Sequence, residues 1–188
     1  WNSVEGNANG NYIPNRSYQY NGQVTTLNLS IVGWEGLSVN QSTASPQVSV
    51  LNDSFYISSL DRHRKIWLYL PKDYTSSSKK YPVIYMHDGQ NLFDRTTSFS
   101  GEWKVDETLD SLYNKGDYGC IVVGIDNGGS KRLDEYSLWI NTQYGGGEGE
   151  QYVDFIVNEL KPYIDQHYRT KKNAENTRMN NTDAKIFV

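Results

Sequence analysis

The segment Pro82-Val-Ile-Tyr-Met-His87 constrains the fold of this chain more than any other. It is an apolar run of strand length that passes directly into Asp88-Gly-Gln-Asn91, a short polar loop built around glycine. A run that is apolar throughout, rather than alternating with polar residues, marks a strand covered on both faces. Cys120-Ile-Val-Val-Gly-Ile125 has the same character. Between the two, Val105, Leu109, Leu112 and Tyr113 recur at i, i+4, i+7 and i+8, one face of a helix. Strand, helix and buried strand make a parallel βαβ unit, so the fold class is α/β with a mostly parallel central sheet. The Asp88–Asn91 loop then lies at the carboxyl end of that sheet, where open α/β folds bind ligands.

The flanking segments extend this picture. Arg64–Leu70 alternates Ile66, Leu68 and Leu70 against Trp67 and Tyr69, and is read as pairing with a strand at Ser54–Ser58. After Gly145-Gly-Gly147 a second helix presents Tyr152, Phe155, Ile156, Leu160, Tyr163 and Ile164 on its apolar face. Glu148 and Glu150 suit its positive end, and Pro162 predicts a kink or an opening of its last turns. Upstream, Ser17–Tyr20 and Val24–Val32 read as strands joined at Asn21-Gly22, a pair suited to a tight hairpin turn. Two strands alone bury no core. Residues 1–36 are therefore read as the end of a β-sandwich module, 37–47 as a linker and 48–188 as the α/β domain.

Composition excludes some classes of partner. With 188 residues and a net charge of −4, the chain offers no basic surface for nucleic acid or an acidic membrane. No apolar run approaches the ~20 residues that span a bilayer, so no membrane insertion is expected. The single cysteine, Cys120, reads as a core residue without an internal disulfide partner. No two of His63, His87 and His167 have metal-ligand spacing, so neither a metal nor a cofactor is expected. Asp88, Asp94 and Asp126 can be read as a cation site or, better, as loop caps. Gly145-Gly-Gly-Glu-Gly149 can be read as an anion cradle or, lacking a lysine, as a flexible rim.

From about Leu60 to Thr177 the chain resembles the esterase D-like branch of the α/β-hydrolase superfamily, which includes feruloyl and acetyl xylan esterases, siderophore esterases and mycolyltransferases. The resemblance is carried by Arg64-Lys-Ile-Trp-Leu-Tyr-Leu-Pro71, Tyr81–Asp94, Trp103-Lys-Val-Asp-Glu107 and Val123-Gly-Ile-Asp126. Arg132-Leu-Asp-Glu-Tyr136 and the helix Phe155–Arg169 complete it, in this order and spacing. More weakly, the first 36 residues resemble the closing strands of a starch-binding-like module.

The resemblance implies a serine hydrolase in which Ser attacks an ester carbonyl, His moves its proton and an acid orients the His. One oxyanion donor then comes from the loop after an early central strand, here Gln90 beside Gly89, with Gly89 allowing close approach to substrate. Asp88, Asn91, Trp103, Trp139 and Tyr144 are candidate pocket residues, the aromatic ones as faces for a sugar or an aromatic acyl group. His87 holds a structural place in the pattern. The nucleophile belongs in Gly-x-Ser-x-Gly about ten residues past Thr177, and no such motif occurs in the sequence. Asp183–Val188 instead resembles the later strand that precedes the catalytic acid. A block is therefore expected to be absent between Thr177 and Arg178, and the remainder after Val188. The expected function is a serine-type carboxylic ester hydrolase acting on a carbohydrate-linked or other small ester, secreted or periplasmic, with its triad not assignable here. The alternative is a non-catalytic carbohydrate-binding or interaction protein on a degenerate hydrolase fold. Oligomeric state is not legible.

Overall fold

The computed structural model describes residues 4–7, 10–17, 19–23, 26, 28–34, 42–99 and 101–180. The strand read at Asp183–Val188 and residues 37–41 of the linker lie outside them. The chain divides into two compact units, Trp1–Ser42 and Thr43–Val188.

In the first unit β1 (Glu5–Gly6) pairs antiparallel with β2 (Gly33–Trp34), and Gly6 also bridges to Tyr12. Arg16 ties Glu5 to the Ser30 carbonyl. The expected hairpin is not formed by the described residues. Gly22 has the positive φ of a turn glycine, 87°, but Ser17, Gln19, Tyr20, Thr26 and the residues 28–32 are outside any strand. Tyr20, Leu29, Ile31 and Val32 are exposed.

The second unit is one five-stranded sheet with helices on both faces. Its strands are β3 (Val48–Ile57), β4 (Arg62–Tyr69), β5 (Val83–His87), β6 (Ile121–Ile125) and β7 (Thr177–Asn180), in the order β3-β4-β6-β5-β7. β6, β5 and β7 are mutually parallel, while β4 runs antiparallel to β6 and β3 antiparallel to β4. The first strand is thus twice the length expected from Ser54–Ser58. Its register shifts at Val50/Asn52 and Asn52/Phe55 kept it from showing a clean alternation.

The strands β4, β5 and β6 sort their side chains to two cores. Ile66, Leu68, Val83, Tyr85, Ile121, Val123 and Ile125 face one side, and Trp67, Tyr69, Met86 and Val122 the other. The first side is covered by the helical segment Gly149–His167, through Tyr152, Phe155, Ile156, Leu160 and Ile164, all buried. That segment is α-helical at Gly149–Asp154, π-helical at Phe155–Leu160 and α-helical again at Lys161–His167. Pro162 has no N–H to return to the preceding turn. The helix widens just upstream rather than ending, and the Lys161 N–H reaches back five residues to the Ile156 carbonyl.

The second side is covered by α1 (Val105–Asn114), with Val105 and Leu109 against Leu92, Phe93 and Met86. Leu112, expected on the same face, is instead exposed, and the residue that α1 buries completely is Asp106. The short helix α2 (Arg132–Tyr136) follows β6. No helix among the described residues is long and apolar enough to cross a membrane.

Candidate active site

The site is built where β5 stops. Asp88 turns the chain with φ 55° and ψ 45°, a left-handed conformation that Asp and Asn enter more readily than most residues. Gly89–Asn91 then makes one tight turn, closed by Asn91 N–H to the Asp88 carbonyl (2.8 Å) and Leu92 N–H to the Gly89 carbonyl (3.2 Å). The Gln90 N–H stands outside this ladder. Its own carbonyl accepts the Thr97 hydroxyl at 2.8 Å, and its side-chain Oε1 accepts the Asn127 N–H at 3.2 Å.

Gly89 also has a packing reason that the sequence does not show. A Cβ there would lie 2.9 Å from Asp126 N, Gly124 C and Ile125 C. The close approach is to the backbone of β6, and Gly89 is not among the residues lining the cleft described below. It seats the loop, while Gln90 lines the cleft.

Asp88 is held from across the cleft. Arg132 grips both carboxylate oxygens, Nε to Oδ1 and Nη2 to Oδ2, each at 2.9 Å, and Asn127 Nδ2 donates to Oδ1 at 2.7 Å. Burial pushes the Asp88 carboxyl up, but the bonds from Arg132 and Asn127 outweigh it, and the carboxyl titrates below its ordinary range. The Arg132 guanidinium also lies over the Tyr136 ring, 4.8 Å from its centroid. α2 is anchored in turn by Glu135, which is fully buried and accepts Arg64 Nη2 at 2.6 Å and Arg62 Nη1 at 3.0 Å. A strand-borne pair of arginines thus fixes the helix that carries Arg132.

These elements enclose a cleft of about 690 Å³ lined by Asp88, Gln90, Asn91, Phe99, Trp103, Asp126, Asn127, Gly129 and Arg132. Phe99 is 95% exposed and Trp103 40%, so an apolar rim faces a polar floor. Asn91 fixes that rim, its carbonyl accepting the Trp103 N–H at 2.8 Å and its Oδ1 the Phe99 N–H at 3.0 Å. Of the residues singled out from sequence, Asp88, Gln90, Asn91 and Trp103 come together here. Trp139 and Tyr144 do not. They are 77% and 62% exposed, Tyr144 within and Trp139 just before the loop closed by the Asn141–Gly145 bridge, outside the residues that line the cleft. Phe99, Asn127, Gly129 and Arg132 were not singled out as site residues. For Arg132 the signal existed: a lone bidentate donor just past the second buried strand, opposite an Asp at the end of the first.

Three other candidates resolve locally. His87 lies beneath the loop, its Nδ1 3.0 Å from the Tyr152 hydroxyl and its ring close to Tyr136 and Tyr152. Burial, helped by Arg132, lowers its pKa to about 4, which keeps it neutral. Asp88, Asp94 and Asp126 do not gather round a cation. Asp94 caps the N–H groups of Thr43 and Thr96, and Asp126 accepts the Trp67 indole N–H at 2.7 Å. The glycines of Gly145–Gly147 all have positive φ, but the Gly146 N–H is taken by Asp134 and the Gly147 N–H by the Ser137 carbonyl, so no anion cradle forms.

The parallel register carries β7 past β5 with Asn180 opposite Met86. The two strands therefore end on the same side of the sheet. Comparison with known proteins fits this layout. The uncharacterized protein YbbA of Bacillus subtilis (strain 168) is 27% identical over 123 residues, covering 62% of this chain and 45% of YbbA. Among solved structures, the BES protein from Bacillus cereus superposes with a TM-score of 0.53 at 19% identity, over 84% of this chain and 55% of that one. The enterobactin esterase FES from Shigella flexneri gives 0.52 at 17% identity, over 72% and 30%. At such identities the structural likeness is one of fold, and the chain spans about half or less of each relative's length. The model of the family described as putative esterase matches residues 57–179, well over half of the sequence, and the chain belongs to that esterase family.

Proposed function

We propose that this chain supplies the carbonyl-binding half of a serine-type carboxylic ester hydrolase. The observation that carries the proposal is the Gln90 N–H, left out of its own turn's hydrogen bonds, on a residue that lines a cleft at the carboxyl end of parallel strands. Such a donor stabilises the oxygen on which negative charge develops, and removing one typically costs roughly 10²–10³ in rate. Asp88, Arg132 and Asn127 hold the loop in place before substrate arrives, which is the preorganisation that oxyanion stabilisation requires. The half-apolar rim of Phe99 and Trp103 suits the flat face of an aromatic acyl group or a sugar ring, so the substrate is a carbohydrate-linked or other small ester. The enterobactin esterase, similar in fold, is named for an ester substrate too. A carbohydrate-binding role for residues 1–36 and export from the cytoplasm belong to the same reading, on the sequence resemblance alone.

A specific observation favours a second reading. No Gly-x-Ser-x-Gly occurs in the 188 residues, so a protein that binds esters or glycans without cleaving them is consistent with the same cleft. Hydrolysis of p-nitrophenyl acetate, with and without a serine-directed fluorophosphonate, tests both. The 188-residue chain is expected to show no turnover and no labelling. Phosphonate-sensitive turnover would show that the nucleophile has been missed in this sequence.

A further inference from the structure

Two buried oxygens beside α1 have no role in the cleft. Asp106, in the first turn of the helix, is fully buried. Its Oδ2 accepts the Ser45 N–H at 2.7 Å, while its Oδ1 has no hydrogen-bond partner. The Ser45 Oγ is buried and without a partner as well. Buried polar atoms are almost always paired, and an exception calls for an explanation, a bound ion or water being one.

What surrounds Asp106 says which. Glu102 and Glu107 stand beside it, and one carboxylate oxygen from each of the three lies within 4.8 Å of the others. The Thr43 hydroxyl donates to Glu102 Oε1 at 2.8 Å. None of the ion pairs among the described residues involves any of these three carboxylates. The helix N-terminus offsets about half a charge, not three. We propose that Glu102, Asp106 and Glu107 form a binding site for a hard divalent cation of the calcium class.

The donor set is all oxygen, with no imidazole or thiolate, which suits calcium or magnesium rather than zinc. Carboxylates on flexible arms around one rigid, buried ligand favour the looser geometry of calcium, with water filling the remaining positions. A bound ion would tie the Thr43–Ser45 segment to the start of α1. It would also pin Glu102, whose neighbour in sequence is Trp103 on the cleft rim. The competing account is a proton shared between Asp106 and Glu107, since burial and the Glu107 contact raise the Asp106 pKa to about 6.

Terbium chloride is the first probe, because Trp103 sits next to a ligand residue and can sensitise lanthanide emission. Saturable emission displaced by calcium chloride is expected at pH 7, with calcium binding confirmed by calorimetry. Glu107 is exposed, so E107Q is expected to fold as the wild type, and it should weaken binding about tenfold or more, because ligand charge sets affinity in such sites. D106N should abolish it; should D106N fail to fold, E107Q decides. Absence of saturable binding at millimolar calcium, or an E107Q affinity equal to wild type, would overturn the site and leave the shared proton as the account of the cluster. None of these readouts depends on ester cleavage.

Discussion

Gly89→Ala is the smallest change that reaches the centre of this account. The added methyl would sit 2.9 Å from three backbone atoms, Gly124 C, Ile125 C and Asp126 N. Carbon atoms pack best at about 3.5–4.0 Å, so the overlap is well inside the repulsive wall at all three contacts. Overpacking of this kind costs about 1–3 kcal/mol, and the upper end applies when the neighbours cannot yield. Here they cannot, because β6 is bonded on both sides, antiparallel to β4 and parallel to β5. Backbone strain does not contribute, since Gly89 is not among the residues with positive φ. In a domain of this size each kcal/mol moves Tm by about 2–4 °C, so a loss of about 3 kcal/mol lowers it by roughly 6–12 °C. Thermal unfolding followed by circular dichroism gives the number. A Gly89→Ala protein within about 0.5 kcal/mol of wild type, the range of ordinary surface changes, would refute the argument that this glycine exists to seat the loop on β6.

Asp88→Asn removes the charge that Arg132 grips with two hydrogen bonds, and should cost about 2 kcal/mol in urea unfolding at pH 7. Because the folded-state pKa of Asp88 is depressed, its stabilisation is present above the unfolded carboxylate value and is lost as pH falls through the folded one. The difference between Asp88→Asn and wild type should therefore close below about pH 4. His87 titrates near pH 6.5 when unfolded but only at about 4 when folded, so unfolding takes up a proton between those values. It should remove about 3 kcal/mol as pH drops from 6.5 to 4, a slope absent from His87→Gln in pH-dependent urea titrations. Asp106 has the opposite sign. Its folded pKa of about 6 lies above the unfolded value, so it lowers stability as pH rises from 4 to 6. Asp106→Asn should remove that loss in metal-free buffer, and difference titrations of the two variants separate the opposing slopes.

What the residues disclosed in advance were the parts governed by local rules. The uniform apolarity of Val83–His87 and Ile121–Ile125 comes from burial on both faces, and the spacing of Tyr152, Phe155, Ile156, Leu160 and Ile164 from one helix face against the sheet. Such patterns are written within a dozen residues. The clamp on Asp88 was not, because its partner lies 44 positions away and the shared geometry exists only once β5 and β6 are adjacent. Glu135 posed the same problem, with arginines 71 and 73 positions upstream. Aromatic residues are sorted by the path of the chain. Trp139 and Tyr144 have side chains as suited to a pocket as Trp103, and only the loop's path decides which of them reaches the cleft. Leu112 shows that one turn of an amphipathic pattern can run past the edge of the layer it covers.

The central claim is that the loop after β5 holds an ester's carbonyl through the Gln90 N–H. Amide ¹⁵N–¹H spectra of the protein titrated with a short aromatic ester, such as methyl ferulate, address it residue by residue. The account predicts that the Gln90 amide moves first and furthest, downfield as it gains an acceptor, together with Asn91 and the Trp103 indole. Shifts confined to the Trp139–Tyr144 loop, or an unmoved Gln90 amide at saturation, would contradict it.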